Sequence, residues 1–215
     1  MITFLIVLGG WVFSLCLHEF AHALVAYRGG DYTVREKGYL TFNPLKYTHP
    51  VYSLLLPMLF LLMGGIGLPG GAVYIERWRL RSSSWMTAVS LAGPAANALL
   101  AVVLGVVLAV VPLSDQGIWP GLAALALLQV TAVVLNLIPL PPFDGYGALE
   151  PHLSPQLRVR VAEMSGMLGL AVLVVLWWVS PVRNIFWWLV FVLSRQVGVP
   201  LSLAALGLDQ FLFWQ

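Results

Sequence analysis

From Ile2 to Ala26 the chain runs for 25 residues in which the only full charge is Glu19. A stretch of that length and polarity matches the roughly 20 apolar residues that cross the hydrocarbon core of a bilayer, and a chain that starts this way has few folds open to it outside a membrane. Further apolar runs follow at 51–68, 86–112, 119–139, 164–179 and 185–193, with a weaker tail at 199–214. Only 9% of the 215 residues are charged, against about 25% in ordinary soluble domains. The expectation is an all-α polytopic membrane protein of one domain with about six membrane segments. The first run has no basic residues ahead of it and reads as a retained span rather than a cleaved signal. A net charge of +2, spread thinly, gives no footprint for nucleic acid, and the single cysteine, Cys16, allows no internal disulfide.

The polar gaps orient the chain. Residues 28–46 hold four basic side chains, "ERWRLR" at 76–81 holds three and "RVR" at 158–160 holds two, whereas "PLSDQGIWP" at 112–120 holds none. The positive-inside rule puts the first three gaps in the cytoplasm and the fourth outside. The run at 51–68 lies between two cytoplasmic gaps, carries Pro57 and leads into "GGIGLPGG", so it is expected to be re-entrant rather than spanning. The alternative, an ordinary short span, would reverse every later helix. "DYTVREKGYLTF" at 31–42 and "GAVYI" at 71–75 have the β-branched and aromatic content of short strands, which predicts a small sheet at the membrane edge.

Against this apolar background, "LHEFAHA" at 17–23 stands out. His18 and His22, four residues apart, share one helix face and can hold a single metal ion through their ring nitrogens. In the pattern His-Glu-x-x-His, Glu19 is the residue that works on water rather than on the metal. A carboxylate well inside a span costs about 2.5–3.5 kcal/mol on insertion scales, which argues for a function. The bland alternative is a polar cluster joining helices. A catalytic zinc wants three protein ligands and an open fourth position. The candidates weighed for the third are Asp31, His49, Asp144, Glu150, His152 and Glu163. Asp144 stands first because Pro139, Pro141 and Pro142 break the helix just before it, and irregular backbone at that depth is tolerated where it lines a cavity or ion site. Glu150 is the runner-up.

These residues carry a resemblance. "HEFAHALVAYRGGD", "GYLTFNPLKYTHPVYSLLLP", "SLAGPAANALLA" and "NLIPLPPFDG" resemble the core segments of the site-2 protease family of intramembrane zinc metalloproteases, over roughly residues 10–150. The resemblance implies a three-helix metalloprotease core within residues 1–150, with 151–215 adding C-terminal helices to the same domain. It implies one zinc ion held by His18, His22 and Asp144, Glu19 as general base, and a membrane-edge β element that receives substrate. Asn97 and Asn136 match family asparagines near the site, with a role in holding substrate backbone or orienting ligands; helix–helix hydrogen bonding is the competing reading. The implied partners are a transmembrane protein or peptide substrate, the lipid bilayer and a separate regulatory protein, in a prokaryotic inner membrane with the site toward the cytoplasm. Tyr146, between Gly145 and Gly147, departs from the second glycine usual after Asp-Gly.

Other functions fit less well. A metal site kept only for stability prefers a closed fourth ligand, which leaves Glu19 unexplained. Four histidines are too few for the histidine boxes of a lipid-modifying di-iron enzyme. No paired half-repeat suggests a transporter.

Overall fold

In a computed structural model, which describes residues 1–47 and 73–213, the N-terminal run forms one unbroken helix, α1 (Ile2–Gly29). At about 1.5 Å per residue it is roughly 42 Å long, more than the roughly 30 Å of hydrocarbon it has to cross. It stops at Gly30, whose φ of 116° is left-handed and suits a residue without a side chain; its N–H returns to the Ala26 and Tyr27 carbonyls. Two short elements follow, α2 (Thr33–Glu36) and a 3-10 turn at Pro44–Lys46. A second 3-10 turn, Arg77–Arg79, leads into α3 (Ser83–Val110). Then come α4 (Trp119–Asn136), α5 (Asp144–Leu149), a 3-10 turn at Glu150–His152, α6 (Pro155–Glu163), α7 (Ser165–Trp178), α8 (Ser180–Gln196) and α9 (Leu201–Phe211).

The protein is a membrane protein built around α4. Burial inside the bundle covers 72% of the apolar window of α4, against 39% for α1 and 33% for α3. Small residues permit this. Ala123, Ala124 and Ala126 are fully enclosed, and Gly207 of α9 lies so close to the Pro120 carbonyl that a Cβ would collide with it. Helices α1, α3 and α9 all pack on α4, and α8 closes part of the remaining side through Phe186 and Val190. The outward faces of α3, α7 and α8 stay apolar and exposed, with Val103, Val106, Leu170, Trp178 and Trp188 among them, as expected of surfaces that meet lipid.

Two expectations need correction. The count of about six membrane segments is too high among the described residues. Three helices, α1, α3 and α4, are each long and apolar enough to cross, and the number reaches five only if α6–α7 and α8–α9 each count as one bent span. The bends are 67° and 116°, and α7 alone has 14 residues, too short for the hydrocarbon core. Apolar composition recorded these runs, but the breaks at Met164 and at Val197–Pro200 divide them.

The small membrane-edge sheet is the second correction: no strand occurs among the described residues. One carboxylate oxygen of Asp31 accepts from the Thr33 N–H at 3.1 Å and from its hydroxyl at 2.6 Å, which starts the α2 turn in place of a strand. Residues 73–75 form no regular element: the Val73 N–H goes to the Glu19 carboxylate and the Tyr74 carbonyl accepts from Lys37 at 3.4 Å. Side chains take the backbone groups that a neighbouring strand would have used. The expected re-entrant segment at 51–68 and the first two residues of the 71–75 stretch lie outside the described residues.

Candidate metal centre

The i, i+4 spacing on α1 brings the two histidine Nε2 atoms to 3.0 Å from each other, both side chains buried. Asp144 arrives from the far end of α4. Pro139, Pro141 and Pro142 have no N–H to continue that helix, so the chain turns in the open loop 137–143 and restarts as α5, with Asp144 as its first residue. The turn is tight. Gly145 passes so close to the Leu137 carbonyl that a Cβ could not be accommodated. Asp144 Oδ2 comes to 3.1 Å from His18 Nε2, and Oδ1 to 3.5 Å from His22 Nε2. Among the described residues, His18, His22 and Asp144 are a group whose ligand atoms all lie within 4.8 Å of one another.

Hydrogen bonds on the far side of each ring decide what these atoms are. His22 Nδ1 is 2.6 Å from the Val89 carbonyl, which can only accept, so Nδ1 carries the hydrogen and Nε2 is left with a lone pair. His18 Nδ1 lies 2.6 Å from Asn97 Oδ1, with the same result. Asp144 Oδ2 is buried and has no hydrogen-bond partner among the described residues. Two imidazole nitrogens and a carboxylate therefore converge, each ring turning its Nδ1 hydrogen to the far side. Such an arrangement repels itself without a cation, and two nitrogens with one oxygen are a catalytic zinc donor set. The residues present fit the metal.

Helix α3 is shaped to allow this. A side chain at Gly93 would overlap the Nε2 atoms of both histidines, so the absence of a Cβ leaves the donors room. Pro94, the next residue, lacks an N–H, which loosens the helix ladder beside the Val89 carbonyl that turns to His22.

Glu19 stands apart from the donor group. It is 3% exposed, and one of its carboxylate oxygens accepts from the Val73 N–H at 3.1 Å. It shares a cavity of about 690 Å³ with the three ligands, Asn136 and Tyr146. The segment that reaches Glu19 is pinned further along, where the Glu76 N–H donates to Asp31 Oδ2 at 2.7 Å. Hydrogen bonds from Arg79 and Lys37 hold the Glu76 carboxyl below the usual carboxylate range.

The other residues singled out in the sequence fall as follows. Asn97 is 5% exposed and sits behind His18; Asn136, 4% exposed, is on the cavity wall. Glu150 pairs with Arg77 at 2.6 Å at the rim, away from the donor group. Asp31 is committed to the backbone N–H groups of Thr33 and Glu76, His152 Nε2 meets the Thr87 hydroxyl at 2.9 Å, and Glu163 is exposed. His49 lies outside the described residues. Gly93 and Gln129 were not among the sequence candidates. For Gln129 a signal existed, an amide in the otherwise apolar first two-thirds of α4.

The chain is 48% identical over 218 aligned residues to a protein of Mycolicibacterium smegmatis named "Putative zinc metalloprotease Rip2", covering 99% of this chain and 82% of that one. A Mycobacterium tuberculosis protein of the same name is 46% identical over 216 residues, with the same coverage. "Putative zinc metalloprotease YwhC" of Bacillus subtilis is 30% identical over 190 residues, covering 82% of this chain and 81% of that one. No family model matches the chain, and no solved structure matches it significantly.

Proposed function

This chain belongs to the site-2 protease family of zinc metalloproteases, and we propose that it hydrolyses peptide bonds of transmembrane proteins or peptides within or next to the bilayer, with Glu19 as general base. Zinc is the cofactor expected of the family, and His18, His22 and Asp144 are the residues that would hold it. The observation that carries the reading is the pairing of a three-donor cluster with a separate buried carboxylate in one cavity.

When bound, zinc supplies Lewis acidity, activating water near neutral pH and polarising the scissile carbonyl. Glu19 takes the proton from the attacking water and returns it to the leaving amine. Burial of Glu19 at 3% exposure keeps bulk water off the carboxylate, and the Val73 N–H fixes one of its oxygens, leaving proton transfer to the other, for which the described residues give no hydrogen bond. Asn97 orients His18, and Asn136, on the cavity wall, is placed to hold substrate backbone.

A transmembrane substrate hides its carbonyls in i→i−4 hydrogen bonds, so it must unwind before attack, and substrates with helix-breaking residues near the cleaved bond are favoured. The bilayer is the medium, and a separate regulatory protein is the remaining partner. The basic side chains Arg28, Arg35, Lys37 and Lys46 after α1, with Arg77, Arg79 and Arg81 before α3, support a site toward the cytoplasm, and the bacterial relatives support a prokaryotic inner membrane.

The test is Glu19→Gln in the detergent-purified chain, reading zinc content and cleavage of a transmembrane substrate together. Zinc retained at the wild-type ratio with cleavage abolished is the expected result. Wild-type turnover in the folded variant would refute the assignment of Glu19.

A further inference from the structure

We propose that Gln129, which hydrogen-bonds to Asn97 rather than to a metal ligand and does not line the cavity, is a positioning residue that sets which nitrogen of His18 carries the hydrogen, and so leaves a lone pair on the nitrogen that faces the metal. The inference rests on the metal centre described above and concerns its support. Gln129 lies on α4 and is 1% exposed; Asn97 lies on α3; His18 lies on α1. Asn97 Nδ2 donates to Gln129 Oε1 at 2.8 Å, and Asn97 Oδ1 accepts from His18 Nδ1 at 2.6 Å.

The chain of contacts has a direction. An amide has one donor end and one acceptor end, so fixing one end fixes the other. The Gln129 carbonyl can only accept, which turns the NH₂ of Asn97 toward α4 and its oxygen toward His18. That oxygen in turn keeps the hydrogen of His18 on Nδ1 and the lone pair on Nε2. With the amides turned the other way, the NH₂ of Asn97 would face Nδ1, and the hydrogen would sit on Nε2, where it would face Asp144 in place of a metal. Gln129 therefore selects the ligating tautomer from a neighbouring helix.

The other histidine needs no such device. His22 Nδ1 is fixed by the Val89 backbone carbonyl, which no side-chain substitution removes. The relay governs one ligand of three. Groups that hold the outer nitrogen of a ligand typically account for about 10–100-fold in metal affinity, and Gln129, one step further out, is expected at about 10-fold.

The experiment measures zinc dissociation constants by chelator competition on the purified full chain, comparing wild type, Gln129→Met, Gln129→Glu, Asn97→Ala and the double variant Asn97→Ala/Gln129→Met. Gln129→Met keeps the length of the side chain and removes its acceptor; it should weaken zinc binding about 10-fold. Gln129→Glu restores an acceptor at the same reach and should recover most of the loss. In the Asn97→Ala background, Gln129→Met should change nothing further, because the link is already cut. Wild-type affinity in Gln129→Met, or an equal loss with and without Asn97, would overturn the proposal. Nitrogen-15 NMR of the His18 ring in zinc-free wild type needs no variant: a hydrogen on Nδ1 supports the relay, and one on Nε2 overturns it. Wild type that binds no zinc at all would overturn the metal centre itself, a result distinct from either.

Discussion

Gly93→Ala is the smallest change that should disable this protein. The added methyl would overlap the Nε2 atoms of both histidines and lie 2.6 Å from His18 Cε1. Ordinary contact starts near 3.4 Å, so the His18 ring has to withdraw by about 0.8 Å. Metal–ligand distances tolerate about 0.2 Å, and disturbing the groups that hold a ligand in place costs about 10–100-fold in metal affinity. Zinc affinity should therefore fall by about 100-fold, or about 2.8 kcal/mol at about 1.4 kcal/mol per decade. Helix propensity works in the opposite direction, since alanine in a helix interior gains about 0.5–1 kcal/mol over glycine. The variant should thus keep its helix content and lose its metal. The assay is chelator competition for zinc, with helical circular dichroism and thermal unfolding of the same samples. Gly9→Ala in α1 is the control, because nothing lies within 4 Å of a Cβ built there, and it should bind zinc as wild type does. Zinc affinity within threefold of wild type in folded Gly93→Ala would refute the argument that this glycine makes room for the donors.

Two further outcomes follow from the same geometry. Glu150→Ala breaks only the rim pair with Arg77, whose guanidinium side is 56% exposed; it should cost about 0–1 kcal/mol of stability and leave zinc content unchanged, whereas Asp144→Ala should abolish tight zinc binding, both read by elemental analysis of purified protein. Gly207→Ala pushes a methyl into the Pro120 carbonyl at the α9–α4 contact and should destabilise by about 1–3 kcal/mol in thermal unfolding, with the number of zinc ions bound unchanged.

The donor group could be read from the sequence because its parts obey local rules. His18 and His22 share a face wherever residues 18–22 are helical, and the prolines before Asp144 end α4 under almost any packing. What escaped depends on contacts distant in sequence. Gln129 meets Asn97 across 32 residues, and that spacing has no periodicity to betray it. The strands expected at 31–42 and 71–75 failed for a related reason. Their composition fits strands, but a strand needs a partner, and here Asp31, Glu19 and Lys37 supply the partners from side chains. The count of spans failed because hydropathy measures how apolar a run is and not how it meets the next, and α8 and α9, which hold two neighbouring apolar runs, turn by 116° at the break between them.

The placement of the three ligands also divides the labour between fold and metal. His18 and His22 belong to a long helix already tied to α3 and α4 by the Asn97, Gln129 and Val89 hydrogen bonds. Hydrogen bonds between membrane helices average about 0.6 kcal/mol, and close packing around Ala123, Ala124 and Gly207 adds to them, so α1, α3 and α4 have reasons to stay together that involve no metal. Asp144 differs. It sits on a six-residue helix after a proline loop, and its buried Oδ2 has no hydrogen-bond partner among the described residues. Binding free energy gained at that oxygen acts on the position of α5, and through it on Tyr146 and Glu150 along the cavity wall. Zinc held by these three residues would thus serve less as a staple for the bundle than as a tie on the cavity wall formed by α5.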